Sequence, residues 1–513
     1  MEFRKILLVA FLLAALPAAY ATEATEDLLD FTYGLGASIS VENGHLNESP
    51  HTILVRIEVQ NPTDEGFPIY IIRQGKGGGW AELRLLGTIP PGERGLFELE
   101  VLAEYGRESV QKTRFAIVGA GADGERYGKF FELTEDWSEY ERKINESVSA
   151  GLLIAVPVIG LALGFLMLFL ARTAYDKKGE TKESEYSMQT LVLPKTEGRP
   201  FSEKLADVII HPGIVAIEVF WVAIFVMLMA DSLGERLGFE TAVRVVLLSG
   251  MCAFTVPFAY LVASWYYCRR EEGKPLRFFI GMFAWGMFVA FFSLLVSSTI
   301  ASQISGIEGL SFAILVTVLI SPFVEELLKG FGVLVLSGHH DYNDTLTGML
   351  LGFSCGAGFA FVENWFYFGS KANPFEMGIF TWIALVFYRS FFNTLAHGCF
   401  TASISALIGY VKSNPKIAAY APLAFLPGLI AAIALHMVFN ISAVADGFMV
   451  ESRQVLFFVF NPMLIILLAA LFFLVLVLAI LDERGRKLRL GQGSSTNEQL
   501  RQNRGRQDGG VSI

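Results

Sequence analysis

The sequence predicts a polytopic, all-α membrane protein with about nine transmembrane helices and an exported, all-β N-terminal domain of the immunoglobulin-like sandwich type. Two observations predict this fold class. The chain has 513 residues, of which 53% are hydrophobic, and a mean hydropathy of +0.49, which is too apolar for one soluble domain. Its apolar residues also change period along the chain, from strand-like alternation near the N-terminus to continuous runs of roughly twenty residues afterwards.

Residues 1–21 are predicted to form a signal peptide. Two basic residues precede an apolar stretch at 6–16, and Ala19-Tyr20-Ala21 offers a small-x-small cleavage site. If the segment stays attached as an anchor, the chain that follows it still lies outside the membrane.

Residues 22–145 are predicted to form the extracytoplasmic sandwich. Val55, Ile57 and Val59 alternate with charged and polar residues, as in half-buried strands, and turns rich in Gly and Pro separate such stretches. All four cysteines of the chain lie in or beside later apolar runs, so a disulfide framework in this domain is excluded. With no cluster of residues at metal spacing, the domain is interpreted as a recruiting or stabilising module.

The apolar runs predict the membrane crossings and their direction. They lie near residues 150–171, 212–230, 243–265, 278–299, 314–336, 346–368, 380–411, 420–441 and 455–481. Lys and Arg residues cluster after the first, third, seventh and last runs, and such clusters favour the cytoplasmic side. The N-terminal domain is therefore predicted outside and the C-terminus in the cytoplasm.

These runs give the expected domain organisation. It comprises a first transmembrane helix at 149–171, a cytoplasmic linker at 172–208, helices two to four at 209–310, a catalytic membrane core of helices five to eight at 311–442, a last helix at 454–482 and a disordered cytoplasmic tail at 483–513. The net charge of −10 is spread along the chain without a basic face, which excludes nucleic acid as a partner. The lipid bilayer is the expected surroundings.

Three charged residues in the fifth run give the strongest indication of function. Glu325, Glu326 and Lys329 lie in a stretch long enough to cross a bilayer, where each charge costs about 2.5–3.5 kcal/mol at the helix centre. Successive residues of a helix point about 100° apart, so the two carboxylates face different directions. We expect one glutamate to face a cavity and the other to be neutralised by Lys329.

Further polar residues share helix faces in the next three runs. Glu363 shares a face with Phe359 and is followed by Asn364. Arg389, Asn393 and His397 recur at steps of four, and His436 shares a face with Asn440. A crossing that starts at Ser321, with Pro322 in its first turn, brings Glu325 to the level of these residues. The sequence therefore predicts a polar pocket in the outer third of the membrane.

Four motifs in this region resemble those of a known family. Residues 325–329 (EELLK) look like an EExxK motif, 359–364 (FAFVEN) like FxxxEN, 397–402 (HGCFTA) like a third motif, and 436–440 (HMVFN) like HxxxN. The set is similar to that of the PrsW family of membrane proteases, in the superfamily of the type II CAAX prenyl endopeptidases and bacteriocin-processing proteins. The type II CAAX prenyl endopeptidases carry EExxxR and FxxxH motifs where this chain has EExxK and FxxxE. The resemblance covers roughly residues 311–442.

The resemblance implies a glutamic-type, metal-independent endopeptidase that needs no cofactor. Its substrate would be a membrane-anchored protein, cut near the outer face of the membrane. The resemblance does not cover the outer sandwich domain, which is separately expected to recruit that substrate. The implied roles are a general base at Glu325 or Glu326, a group that helps to hold the water at Glu363, an oxyanion site at His436 and Asn440, and support from His397, Lys329, Arg389, Asn364 and Asn393.

Other functions also use such residues. A carboxylate and two histidines can bind zinc, which predicts a metallopeptidase, although the chain has no HExxH motif. Intramembrane acids and histidines also build the relays of ion- or proton-coupled transporters, though the two halves of the chain show no repeat. A scaffold that has lost catalysis is a third alternative, and a structural ion pair would account for Lys329 and one glutamate but not for the histidines.

A second group of possible metal ligands lies outside the predicted core motifs. His339, His340, Asp341 and Asp344 follow the fifth run closely. They lie in a short turn on the predicted cytoplasmic side, away from the polar pocket. They are therefore interpreted as turn residues rather than as a metal site.

Overall fold

The computed structural model describes residues 29–508 except for 43–45, 47–50, 75–79, 104, 106–108, 122–124, 176–197, 273, 275, 305–311, 313, 449–458 and 460. The predicted signal peptide lies outside the described residues. The chain divides into two compact units. The first comprises Met1–Ala150 with Arg236–Gly238 and Pro374–Thr381, and the second comprises the remainder.

The first unit is a sandwich of two sheets, which confirms the predicted all-β domain. Its described strands are β1 (Tyr33–Gly34), β2 (Ala37–Glu42), β3 (His51–Gln60), β4 (Phe67–Gln74), β5 (Trp80–Ile89), β6 (Arg94–Ala103), β7 (Val110–Ala120) and β8 (Arg126–Asp136). One sheet has the order β1-β8-β7-β4-β5 and the other β2-β3-β6. Val55, Ile57 and Val59 of β3 are buried as their alternation predicts, while Arg56 forms an exposed ion pair with Glu98.

The second unit is helical and accounts for most of the chain. Its helices are α1 (Ser138–Tyr175, which begins in the first unit), α2 (Phe201–Ile209), α3 (Pro212–Leu237), α4 (Phe239–Glu272), α5 (Leu276–Gln303), α6 (Ser321–Leu336), α7 (Thr345–Phe366), α8 (Ile379–Tyr388), α9 (Thr394–Lys412), α10 (Phe425–Phe448) and α11 (Asn461–Asp508). Shorter segments of this unit are π helices at Ile314–Ile320, Tyr367–Lys371 and Arg389–Asn393 and a 3₁₀ helix at Ala418–Ala424, while the helical turn at Pro374–Met377 belongs to the first unit.

Seven helices in the described part of the chain are long and apolar enough to span a bilayer. This confirms a polytopic membrane protein. The seven helices correspond to all of the predicted runs except those at 150–171 and 314–336. The run at 150–171 lies within α1, whereas the run at 314–336 is divided into the π helix Ile314–Ile320 and α6. Neither part of the divided run reaches 18 residues by itself, although α6 begins at Ser321 as predicted.

α7 is the central helix of this unit. Almost every residue from Thr345 to Val362 is buried, as expected for a helix that is apolar on all sides. It packs against α4, α5 and α9. A Cβ atom at Gly356 would lie 2.2 Å from the carbonyl oxygen of His397, so only glycine permits this close approach of α7 and α9. The close approach of the two helices at Gly356 therefore sets the position of His397.

Helices also occur in the segments predicted to be the linker and the tail. Helix α2 lies within the predicted cytoplasmic linker. Helix α11 continues to Asp508, through most of the region for which the sequence predicts disorder. Ion pairs one turn apart support the first part of that extension, Arg486 with Asp482 at 3.1 Å and Lys487 with Glu483 at 2.9 Å.

Candidate active site

Glu326 and Lys329 form an ion pair enclosed by protein. Both side chains are fully buried, and the Lys329 Nζ lies 2.5 Å from Oε1 of Glu326. Nδ1 of His436 lies 2.9 Å from the same oxygen, and the Thr401 hydroxyl lies 3.5 Å from the other carboxylate oxygen. The Phe359 ring covers the ammonium at 4.1 Å. Glu326 is therefore the carboxylate that Lys329 neutralises.

Glu325 has a different environment on the neighbouring face of α6. Its Oε2 atom is buried and has no hydrogen-bond partner among the described residues. The nearest base is Nε2 of His436, which lies 3.8 Å from this oxygen. Glu325 also lines a cavity of about 70 Å³ together with Glu363 and Ser297. A water molecule needs about 10–15 Å³, so the cavity has room for water beside this carboxylate.

Glu363, which lines the same cavity, is held by three donors. Arg389 Nη2 lies 2.9 Å from Oε1, while Asn393 Nδ2 and His397 Nε2 lie 3.1 and 2.9 Å from Oε2. Asn364 joins the network by accepting hydrogen bonds from Arg389 and Asn393 at 3.1 and 3.0 Å. This network fixes the direction of the Glu363 carboxylate.

The donors of Glu363 come from an irregular part of the seventh predicted crossing. Arg389 and Asn393 bound a π helix between α8 and α9, and His397 follows one turn later. A π segment widens the helix locally and is frequent at functional sites. All three side chains predicted to share one face reach Glu363 despite this change of helical period.

The two imidazoles lie against each other in the interior, with ring centroids 4.9 Å apart at 86°. Nδ1 of His397 lies 3.2 Å from the Lys329 Nζ. A lysine ammonium can only donate, so this nitrogen accepts and Nε2–H donates to Glu363. By the same reasoning, His436 donates from Nδ1 to Glu326 and turns the lone pair of Nε2 toward Glu325.

Asn440 is placed differently from the other predicted site residues. Its amide donates to the carbonyl of Thr317 at 2.8 Å, within the π helix that precedes α6. His436 has its two ring nitrogens directed at Glu326 and Glu325. The structure therefore brings together Glu325, Glu326, Glu363, His397 and His436, whereas the Asn440 donor is engaged elsewhere.

Sequence reasoning did not single out Thr401, Ser297 or Thr317, although each adjoins the site. Thr401 contacts Glu326 and lies within the third motif, so its position four residues after His397 carried a usable signal. Ser297, on α5, lines the cavity and has no distinguishing sequence context.

Glu325, His397 and His436 are the donors that a metal ion could use, since each offers one ligand atom and these atoms lie within 4.8 Å of one another. Two histidines and a carboxylate are suitable zinc ligands by type. The hydrogen bonding does not fit, because Lys329 and Glu363 occupy both ring nitrogens of His397. The buried ammonium beside them also opposes a dication. In this arrangement the site does not fit a bound zinc ion.

The second group of possible ligands forms a hydrogen-bonded turn in the described structure. Glu203 of α2 pairs with His340, while Nδ1 of His339 accepts a backbone N–H at 3.0 Å. Burial and the neighbouring His340 lower the pKa of His339 to about 4, so its ring is neutral at pH 7. Asp344 caps α7 by accepting the Thr347 N–H at 2.7 Å. Glu203 with the two histidines could also hold an ion by distance alone.

Comparison with known families gives a match that lies in the helical part of the chain. Residues 274–477 match the model of a family described as PrsW family intramembrane metalloprotease. The match extends beyond the motif region on both sides, over α5 and into α11. It confirms the resemblance and supports a membrane peptidase. Neither the curated proteins nor the solved structures give a match.

Proposed function

We propose that this membrane peptidase, whose residues 274–477 form a PrsW-family intramembrane protease domain, is a glutamic-type, metal-independent endopeptidase with Glu325 as general base. The observation that carries the proposal is the contrast between adjacent carboxylates. Glu326 is enclosed by Lys329 and His436, whereas Glu325 lines a cavity large enough for water and has one buried oxygen without a hydrogen-bond partner among the described residues.

In the proposed mechanism, a water molecule lies between the carboxylates of Glu325 and Glu363. Glu363, held by Arg389, Asn393 and His397, accepts a hydrogen bond from the water and orients it. Glu325 removes a proton as the water oxygen attacks the peptide carbonyl carbon. The positioned carboxylate thus supplies the base without a metal ion.

The second half of the reaction needs a donor for the oxyanion and a proton for the leaving amine. The proton on Glu325 lies near Nε2 of His436, 3.8 Å from the carboxylate oxygen, and can pass through this nitrogen to the amine. His436, once protonated at Nε2, and Asn440 are assigned to the oxyanion. Asn440 must then exchange its bond with the Thr317 carbonyl for one with the substrate.

The proposed substrate is a membrane-anchored protein, cut near the outer face of the membrane and recruited through the sandwich domain. The distribution of Lys and Arg along the chain supports an extracytoplasmic sandwich and a cytoplasmic C-terminus. A site built within membrane-spanning helices supports a substrate that is itself anchored in the bilayer.

A zinc-dependent peptidase is the second candidate, because the family description names a metalloprotease and three donors lie within reach of one ion. In that case Glu325, His397 and His436 would hold zinc, which would polarise the peptide carbonyl and activate water. The hydrogen bonds of His397 to Lys329 and Glu363 argue against it.

The test is cleavage of membrane-anchored peptides by detergent-purified protein, with and without a chelator. We expect chelator-resistant cleavage that Glu325→Gln removes. The control is Glu218→Gln on α3, a buried carboxylate that is not assigned to the site. Cleavage that stops with chelator and returns with added zinc would establish the metal-dependent alternative, provided that Glu203→Gln leaves this metal requirement unchanged.

A further inference from the structure

In the described part of the sandwich, no strand joins β2 to residues 129–136 of β8. Among the described strands, β2 is an edge of its sheet, and β8 has only the two-residue β1 beyond it, paired at Tyr127 and Gly128. A hydrogen bond from Lys129 Nζ to the carbonyl of Ala37, at 2.7 Å, crosses the gap at one end. We call the opening between β2 and residues 129–136 of β8 the seam.

Backbone groups of β2 point into the seam. The Gln60 N–H donates to the Gly36 carbonyl at 2.9 Å, which fixes the alternation of the antiparallel β2–β3 ladder. The even-numbered residues of β2 bond to β3, so the N–H and C=O groups of Ile39 and Val41 face away from it. The Ala37 carbonyl, which accepts from Lys129, follows the same rule.

Backbone groups of β8 face the seam in the same way. The Trp137 N–H donates to Ser109 at 2.6 Å, so odd-numbered residues of β8 bond to β7. The groups of Phe130, Glu132 and Thr134 therefore point outward. Unpaired edges of this kind are templates for an additional strand.

A cavity of about 390 Å³ lies behind the seam. Its lining is mainly apolar and comes from both sheets, including Ile39, Val41, Val55, Leu99, Phe115 and Phe131. This volume falls within the range of about 300–1,000 Å³ usual for ligand pockets. Val41 is 41% exposed, although its side chain faces the interior of a sandwich.

The chain that enters β1 lies over a different surface. Leu29 and Phe31 pack against a buried cluster that includes Ile72 and Ala116. Ile72 and Ala116 directly follow Ile71 and Phe115 along their strands. Since Ile71 and Phe115 line the cavity, Ile72 and Ala116 face the opposite side of the sheet. Leu29 and Phe31 therefore lie on the face of the sheet opposite to the cavity.

We propose that the seam binds an extended peptide segment of the substrate's extracytoplasmic part by strand addition, with alternate apolar side chains entering the cavity. A peptide strand satisfies both the backbone groups at the edges and the apolar space behind them, whereas a lipid chain fills only the space. The identity of the partner as the substrate rests on the proposed function, but strand binding itself does not.

The test uses the full-length Glu325→Gln protein in detergent, so that bound peptide is not cleaved. The probes are synthetic peptides of about ten residues, a typical strand length, with Val, Ile, Leu or Phe at alternate positions and Thr between them. We expect one of them to slow amide hydrogen exchange about tenfold at Ile39, Val41, Phe130, Glu132 and Thr134. The same peptide N-methylated at alternate residues should lose the effect.

Variants of the seam provide the matched comparison. Val41→Lys places a charge at the cavity and should weaken peptide binding about tenfold or more. Leu96→Lys, on the exposed face of the same sheet, should leave binding unchanged. Failure of every peptide at about 1 mM, equal protection by the N-methylated peptide, or protection by oleate alone would each overturn the proposal. Binding of these peptides, together with no cleavage of any membrane-anchored peptide by the wild-type protein, would refute the proposed function only.

Discussion

Glu325 and Glu326 are adjacent in the chain, yet their environments differ as much as those of a core residue and a pocket residue. Glu326 is fully buried against Lys329, His436 and Thr401, whereas Glu325 lines a cavity and keeps one oxygen without a hydrogen-bond partner among the described residues. The difference follows from the helix, which turns successive side chains about 100° apart. One carboxylate of the pair can therefore hold the helices together while the other performs chemistry.

Removing the Lys329 cation beside the buried Glu326 should have the largest effect on stability. Lys329→Met leaves the buried carboxylate of Glu326 without its partner, and breaking a buried ion pair costs about 3–5 kcal/mol. Thermal unfolding in detergent measures the loss, and the double variant with Glu326→Gln should recover most of it. Lys143→Met, in an exposed pair with Glu139, should cost less than about 1 kcal/mol. A Lys329 variant as stable as this control would contradict the structural role of the buried pair of Glu326 and Lys329.

Separating α7 from α9 should lower both stability and cleavage, with a loss of stability of intermediate size. Gly356→Ala places a methyl group against the His397 carbonyl, and such overpacking costs about 1–3 kcal/mol. It should also lower cleavage, because His397 moves relative to Glu363 and Lys329. Gly160→Ala, where the new methyl group meets no atom within 4 Å, is the control for stability and cleavage. Equal behaviour of the two variants would show that this helix contact does not position the site.

The smallest effect is expected from the Thr401 hydroxyl. Its distance of 3.5 Å from Glu326 indicates a weak hydrogen bond, so Thr401→Val should reduce the free energy of unfolding by about 1 kcal/mol or less. Cleavage should remain close to that of wild type. A large loss of cleavage would show that Glu326 and its surroundings take part in the chemistry.

The sequence predicts those features that depend on local spacing. The intervals between Glu325, Glu326 and Lys329 predict one paired and one available carboxylate, and Pro322 predicts where α6 begins. The strands of the sandwich follow in the same way from their alternation.

Features that depend on contacts between distant segments could not be predicted. The hydrogen bond of Asn440 to Thr317 requires the π helix at Ile314–Ile320, which an α-helical period does not indicate. The seam likewise arises because β2 and β8 are edges of different sheets. Alternation within a strand predicts its buried face but not its neighbours.

The most direct test compares Glu325→Gln and Glu326→Gln in two measurements, the cleavage rate of a membrane-anchored peptide and the temperature of unfolding. We expect Glu325→Gln to lower cleavage by about 10²–10⁴-fold while the unfolding temperature stays near that of wild type. Glu326→Gln should lower the unfolding temperature, because it removes the partner of a buried lysine. Full cleavage by a folded Glu325→Gln protein would contradict the assignment of Glu325 as the base.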